Sequence, residues 1–326
     1  MLAGESCILA SINLHRMYDK KNKEIDWDLL KKVTKTATRF LENVTEITEA
    51  PLDYVNKITK SLRRLGLGIL GFADLLIELN IPYDSKEAID MAEKLSWFIS
   101  FHSWETSFEL AKERGHFEYY DADKVNLHVV EKVLYSDKFE HSKISKEELR
   151  SIGLRNVATM SLAPTGSIAI IGGVNSGCEP FFALAYKRNI TEGVGNIATD
   201  SIFEINPALE GKLKEFGYDK DDIQKIVEYS SDHGTILGCP LVSQEFQNLF
   251  KTANEIPWKT HVDIQAAWQK YVSNAISKTI NLSESATAQD IFDIYMYMWK
   301  AGLKGGTVYR DGSKSFQILE KPVKEQ

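Results

Sequence analysis

Apolar positions recur along this chain with two periods, and the switches between them mark out its elements. Residues 7–14 read Cys-Ile-Leu-Ala-Ser-Ile-Asn-Leu and precede a polar stretch over 18–23, which predicts a buried strand and then a loop. From Asp26 the residues Leu29, Leu30, Val33, Ala37 and Phe40 follow helical spacing. A second helical stretch is predicted over 51–80. Its later part, 65–79, is apolar on nearly every face, with Gly66, Gly68 and Gly71 among large residues, the pattern of a wholly buried helix. Asp84-Ser85-Lys86-Glu87 resembles a capping box for a helix ending at Gly115, and Ser145-Lys146-Glu147-Glu148 repeats the signal.

Residues 156–162 predict a strand stopped by Pro164-Thr165-Gly166-Ser167, and a second turn follows at Gly172-Gly173. Helices are expected over 207–217, 220–230, 241–254 and 260–275, and an extended segment over 276–282. Thr287 and Asp290 can cap a helix ending near Gly302, before a last short strand over 306–310. Strands and helices alternate throughout, which favours an α/β architecture. Residues 1–313 read as one domain, and 314–326 as a polar, mobile tail.

Composition narrows the function. The 326 residues are 43% hydrophobic and 26% charged, ordinary for a globular chain. Thirty-nine Lys and Arg against 46 Asp and Glu leave a net charge of −7, which argues against a protein built to grip a nucleic-acid backbone. No apolar run reaches the length of a membrane span, and the first residues lack the basic and apolar regions of a secretory signal. The three cysteines, Cys7, Cys178 and Cys239, are far apart and form no CxxC pair. That fits a reducing cytoplasm better than a disulfide framework or a zinc site. A strand so close to residue 1, with nothing before it to pair with, makes the chain read as if it starts within a domain.

The sharpest local feature is Leu162-Ala163-Pro164-Thr165-Gly166-Ser167-Ile168. Free N–H groups where a strand turns into a short helix, with the Thr165 and Ser167 hydroxyls, would cradle a phosphate; an ordinary strand-to-helix turn has the same composition. Gly166 is expected to be needed for the backbone of that turn. Cys7 among apolar neighbours reads equally well as an inert buried thiol. No HExxH, Walker lysine loop or GxSxG occurs. The GxGxxG-like run from Gly66 to Gly71 lies in a helical pattern and is discounted as a dinucleotide site.

Several motifs in order carry more than any one of them. Glu5-Ser6-Cys7 running to Ser11-Ile12-Asn13-Leu14, Arg63-Arg64-Leu65-Gly66-Leu67-Gly68 with Gly71-Phe72-Ala73-Asp74, and Glu109-Leu110-Ala111-Lys112-Glu113-Arg114-Gly115 come first. Arg155-Asn156 with Pro164-Thr165-Gly166-Ser167, Gly177-Cys178-Glu179-Pro180, Gln265-Ala266-Ala267, Ser277-Lys278-Thr279-Ile280-Asn281 and Gly306-Thr307-Val308-Tyr309-Arg310-Asp311-Gly312-Ser313 follow. The ordered set resembles the catalytic subunit of the ribonucleotide reductases over roughly residues 3 to 315. The 63–74 run looks like that family's buried helix. The Thr-Val-Tyr-Arg-Asp-Gly-Ser run resembles the adenosylcobalamin-dependent class, because the iron-dependent class carries two adjacent tyrosines where Tyr309 and Arg310 stand.

The resemblance implies the second half of a ten-stranded α/β barrel that reduces ribonucleotides to deoxyribonucleotides by radical chemistry. It implies Cys7 as one of two reducing thiols, and Pro164, Thr165, Gly166, Ser167 and Ile168 as the substrate-phosphate loop. Adenosylcobalamin is the implied cofactor, and no protein metal site is expected. The implied partners are a ribonucleotide, an N-terminal half of the reductase, a thiol reductant such as thioredoxin, and a second copy in a homodimer. The family's turn usually reads Gly-Ile-Glu-Pro, so Cys178 stands outside the chemistry. The radical cysteine in Asn-Pro-Cys-Gly-Glu, the other redox cysteine and the nucleotide-specificity site belong to the upstream half. A split or truncated enzyme and a non-catalytic nucleotide-binding or assembly fragment therefore remain alternatives; a helical scaffold would leave the motif order unexplained.

Overall fold

The computed structural model describes residues 2–125, 127–191, 198–313 and 319–320. The chain opens with β1 (Ile8–Asn13), a small antiparallel pair β2 (Tyr18–Asp19) and β3 (Glu24–Ile25), and helix α1 (Trp27–Ile47). The Asp26 carboxylate accepts from the Leu29 N–H at 2.8 Å, which fixes where α1 begins. Helix α2 (Asp53–Leu62), strand β4 (Leu65–Leu70) and helix α3 (Phe72–Glu78) follow. Helix α4 (Lys86–Arg114) starts at the Ser85 cap and stops at Gly115, whose φ of 81° only glycine adopts readily. Two short helices, α5 (His128–Leu134) and α6 (Lys146–Ile152), pack against it, the latter behind a full Ser145–Glu148 capping box.

Helix α7 (Gly166–Gly172) precedes an antiparallel pair, β5 (Ala185–Thr191) and β6 (Ala198–Ile205). Then come α8 (Pro207–Glu215), α9 (Lys220–His233), α10 (Gln244–Leu249), α11 (Trp258–Gln269), β7 (Thr279–Leu282), α12 (Ala288–Lys300) and β8 (Thr307–Arg310). Of the tail, β9 (Leu319–Glu320) pairs with β5, and the other residues beyond Ser313 lie outside the described residues, as does the expectation of mobility made for them.

Five extended segments from across the chain lie side by side and run the same way. β1 pairs with β4 in parallel, Ile8 opposite Leu65 through Asn13 opposite Leu70. The stretch over 158–162 takes the other edge of β4: Leu65 and Leu67 donate to Ala158 and Thr159 carbonyls at 2.9 Å, and Ser161 donates back to Leu67 at 3.1 Å. Leu162 then bridges to Ile276, and β7 pairs in parallel with β8. The result is an open parallel array with β1 and β8 at its ends. Helices cover one face, where Ile12, Leu65, Leu67, Ile69, Met160, Leu162 and Ile276 form the main core with residues of α1, α3, α4 and α11. The α/β class therefore holds, and the described strands do not close into a barrel.

The expected buried helix over 65–79 is instead β4 and α3, joined at Gly71 in a left-handed conformation (φ 75°). Leu65, Leu67 and Ile69 alternate with Gly66 and Gly68, a period of two that a fully buried central strand disguises as uniform apolarity. The helices expected over 241–254 and 260–275 are shorter: α10 gives way to a single tight turn at Ala253–Glu255, and residues after Gln269 leave α11 to join the array. A buried ionic knot anchors the edge of the array to α1. Glu42, fully buried, accepts from Arg63 Nε at 2.6 Å, Arg155 Nε at 2.7 Å and Asn156 Nδ2 at 2.7 Å.

Candidate active site

Away from the helices, the array presents small and polar residues. Side chains alternate across a strand, so Cys7, Leu9 and Ser11 share the face that Gly66 and Gly68 leave bare on β4. A methyl group built on Gly66 would stand 2.9 Å from Cys7 Sγ, 2.3 Å from Leu9 and 3.4 Å from Ser161 Cβ; on Gly68 it would meet the Ser161 carbonyl at 2.6 Å. These two glycines are what let the thiol lie over β4. Leu9 is 54% exposed although it belongs to a parallel strand, a class of sheet that is normally covered on both faces.

The thiol end is built around an ion pair. Glu5, whose side chain is fully buried, accepts from Arg64 Nε at 2.5 Å and from the Leu2 N–H at 2.8 Å. Arg64 Nη1 donates to Asn274 Oδ1 at 2.7 Å, and Asn274 Nδ2 donates to the Met160 carbonyl at 2.9 Å. Burial pushes the Cys7 thiol above its ordinary pKa, the Arg64 charge pulls it back, and Glu5 adds to the rise. All three cysteines are free. Cys178 is fully buried, and burial drives its thiol up to about 12, consistent with a place outside the chemistry.

Three residues further along the strand from Ser161, about 10 Å at strand rise, the backbone turns at Pro164. Thr165 is buried and left-handed (φ 60°), a costly conformation for a β-branched residue. Its hydroxyl oxygen accepts from the Gly177 N–H at 2.7 Å, and its carbonyl accepts the first bond of α7 from Ala169 at 2.8 Å. Pro164, Gly166, Ser167 and Ile168 are exposed, and the N–H groups of Gly166, Ser167 and Ile168 find no acceptor among the described residues. Gly166 was expected to be needed for the backbone of this turn, but the left-handed residue is Thr165. Gly166 sits at the helical start with nothing within 4 Å of where a Cβ would be, so its contribution is open space and not backbone freedom.

Behind this turn lies a group of residues that no sequence spacing links. Lys278, fully buried, donates to Glu179 Oε2 at 2.8 Å and lies 3.0 Å from His261 Nδ1. Glu179 also accepts from the Thr279 N–H at 2.6 Å, and His261 Nε2 reaches the Ala253 carbonyl at 3.0 Å. Burial, then the Lys278 charge, hold His261 down at about 3, so it is a neutral imidazole at ordinary pH. The Gly177–Pro180 turn is thereby bonded to β7 on one side and to Thr165 on the other. Asp74 holds the preceding stretch by accepting from the Asn175 N–H at 2.8 Å. Among the described residues no cluster of His, Cys, Asp and Glu could hold a metal ion.

The structure thus places Cys7 at the leading end of the open face of a parallel α/β array and residues 164–168 in the turn that follows its third segment. The chain belongs to the ribonucleotide reductase barrel domain family, which matches residues 3–309. It is 37% identical to the vitamin B12-dependent ribonucleoside-diphosphate reductase of Thermoplasma acidophilum, over 98% of this chain and 37% of that protein. The enzyme of the same name from Mycobacterium tuberculosis (strain CDC 1551) is 36% identical, over 98% of this chain and 41% of that one. Among solved structures, the Actinobacillus ureae class Id ribonucleotide reductase alpha subunit aligns with a TM-score of 0.68 and 25% identity, covering 96% of this chain and 50% of that one. The chain spans about two-fifths of the length of these curated relatives.

Proposed function

We propose that this chain is the C-terminal half of the catalytic barrel of a ribonucleoside-diphosphate reductase. The observation that carries the reading is the one-sided array: five parallel segments, apolar packing on one face only, Cys7 on the other, and the 164–168 turn after the third segment. Five parallel segments are half of a ten-stranded barrel, and five more from an upstream half would cover the open face and the β1 and β8 edges. Residues 1–313 make up this half-barrel and 314–326 a tail.

The ribonucleoside diphosphate lies across the open face. Its phosphates accept from the free N–H groups of Gly166, Ser167 and Ile168, beside Pro164 and Thr165, and the roughly 10 Å back to Ser161 places the sugar near the Cys7 sulfur. A thiyl radical on the upstream half abstracts the 3′ hydrogen, the 2′-hydroxyl leaves as water, and the same thiol finally returns the hydrogen to C3′, which regenerates the thiyl radical. In between, Cys7 and an upstream cysteine supply two electrons and two protons as they close a disulfide, which needs a partner Cα within about 7 Å. A thioredoxin-type dithiol reopens it. Two completed barrels form a homodimer, and the free thiols suit the cytoplasm.

Adenosylcobalamin supplies the radical when bound. Arg310 fits that source: it stands where a second tyrosine would relay a radical from a partner subunit, and its guanidinium is tied to the Glu284 and Ala286 carbonyls, the latter at 3.0 Å. The relatives' names point the same way. The test is reduction of a ribonucleoside diphosphate by this chain mixed with an upstream half, with adenosylcobalamin and a dithiol. Deoxynucleotide is expected from the mixture and from neither half alone. A complex that binds nucleotide and forms no product would overturn the reading in favour of a non-catalytic binding fragment.

A further inference from the structure

We propose that Arg64 is a positioning residue for the Cys7 thiol: clamped by Glu5 and Asn274, it holds residues 2–7 against β4 and fixes the charge that the sulfur meets. This rests on the reading of Cys7 as a reducing thiol, but the clamp is argued from geometry alone. Cys7 precedes β1 and has only part of its backbone in the array, so something other than the strand ladder must hold it in place. Three contacts do so. The Ser6 N–H donates to Thr59 Oγ1 of α2 at 3.1 Å, the Leu2 N–H donates to Glu5, and Glu5 pairs with Arg64. Arg64 is itself fixed by Asn274, which ties together the leading ends of β4 and the 158–162 segment through the Leu65 and Met160 carbonyls, at 3.2 and 2.9 Å.

A single residue lies between Glu5 and Cys7, and a single residue between Arg64 and Gly66, the residue over which Sγ lies. The ion pair and the sulfur therefore sit on the same side of two adjacent chains. The charged groups that face the thiol are Glu5, on its own segment, and Arg64, on the neighbouring one. Thr59 of α2 and Ser161 of the next segment are uncharged. Lys304 stands near Arg64, with Nζ 2.6 Å from the Ser273 carbonyl. A thiol that must be oxidised to a disulfide and reduced again is useful only if its thiolate is accessible near neutral pH. Burial opposes that, Arg64 favours it, and Glu5 keeps the guanidinium in register at the cost of some of its effect.

The experiment is alkylation of the full chain by iodoacetamide, followed by mass spectrometry across pH 6 to 10. Cys178 and Cys239 are buried, so Cys7 is the thiol that reacts in the folded protein. Arg64→Met should raise the apparent pKa of Cys7 and slow its alkylation at pH 8 by about three- to tenfold, as expected for a shift of half to one pH unit. Glu5→Gln should speed it. Both changes break the same ion pair, so a purely structural clamp would move the two rates in the same direction. Rates that change alike, or not at all, overturn the proposal. If Arg64→Met does not fold, Arg64→Lys decides: a rate near the parent's is expected, and one slowed by about threefold or more overturns it. Opposite shifts with turnover that survives Cys7→Ser would leave Arg64 in this role and refute only the reductase reading.

Discussion

The thiol end of the open face and the turn that follows its third segment are built on different principles. At the thiol end, one solvent-shielded ion pair between Glu5 and Arg64 holds a short segment that the strand ladder only partly reaches. At the loop end, Lys278 holds Glu179, and two positions back in the same turn the Gly177 N–H donates to the hydroxyl of Thr165, a β-branched residue held in a left-handed conformation. The first design fixes where a charge stands. The second fixes the shape of a backbone, leaving three N–H groups without an acceptor among the described residues. A reacting sulfur needs its electrostatics set, whereas an anion needs donors held in place before it arrives.

Changes at each end should therefore fail in different ways. The largest effect expected is from Cys7→Ser: dithiol-driven turnover of the completed enzyme should fall to background while nucleotide binding survives. Turnover near the parent value would remove Cys7 from the chemistry. Next, Lys278→Met leaves Glu179 without its partner in a mostly buried site and should cost about 3–5 kcal/mol in urea unfolding, the range for breaking one side of a buried pair. The double variant Lys278→Met/Glu179→Gln should recover part of that loss. If the double variant is no more stable than the single one, the pair is not what matters there.

The neutral His261 beside Lys278 gives the loop end a pH dependence on the acid side of neutral. Its pKa is about 3 in the fold and about 6.5 when unfolded, so the unfolded chain takes up a proton that the folded chain refuses. The associated stability is complete above pH 6.5 and is lost as pH falls from there toward 3, by about 2 kcal/mol at pH 5. His261→Asn should flatten the change in urea midpoint between pH 7.5 and 5, and an equally steep dependence in the variant would assign it to other groups. Thr165→Val keeps the shape and strands the Gly177 N–H, so a loss of about 1–2 kcal/mol and a raised KM for nucleotide with little change in kcat are expected. The smallest effect sharpens the contrast within the loop. Gly166→Ala should leave stability within about 0.5 kcal/mol, because its backbone is helical and the space above it is open. Gly166→Val should raise KM by crowding that space, and a large loss of stability in either variant would contradict the geometry.

Much of this was legible in the sequence where the signal is local. The caps at Ser145 and Thr287 lie where their side chains predict, and the capping signal over 84–87 falls on Ser85, because a cap is decided by residues within one turn. β4 was misread because its alternating partners to Leu65, Leu67 and Ile69 are glycines and not polar residues, and glycines among leucines also suit a packed helix. Cys7 and residues 164–168 were named by motif order, and their placement on one array could not have been read from spacing across more than a hundred residues. The Arg64–Glu5–Asn274 and Lys278–Glu179–His261 groups were missed altogether. Their members are ordinary polar residues until parallel pairing brings distant segments together. Gly166 was credited with the backbone freedom that Thr165 in fact carries, since a threonine gives no local hint that a distant N–H will hold it left-handed.

The order of the parallel segments also has a kinetic consequence. Leu67 pairs with Met160 and Leu162 with Ile276, so each of these ladders closes a loop of roughly a hundred residues before it gains any contact energy. Such long-range closure slows folding, and the polypeptide must keep apolar strands in solution while it searches. Helices α1 and α4, which need only neighbouring residues to form, pack directly against one another. They can assemble early as a surface on which the strands are collected one by one, which makes the helical layer a template for the array as well as its cover.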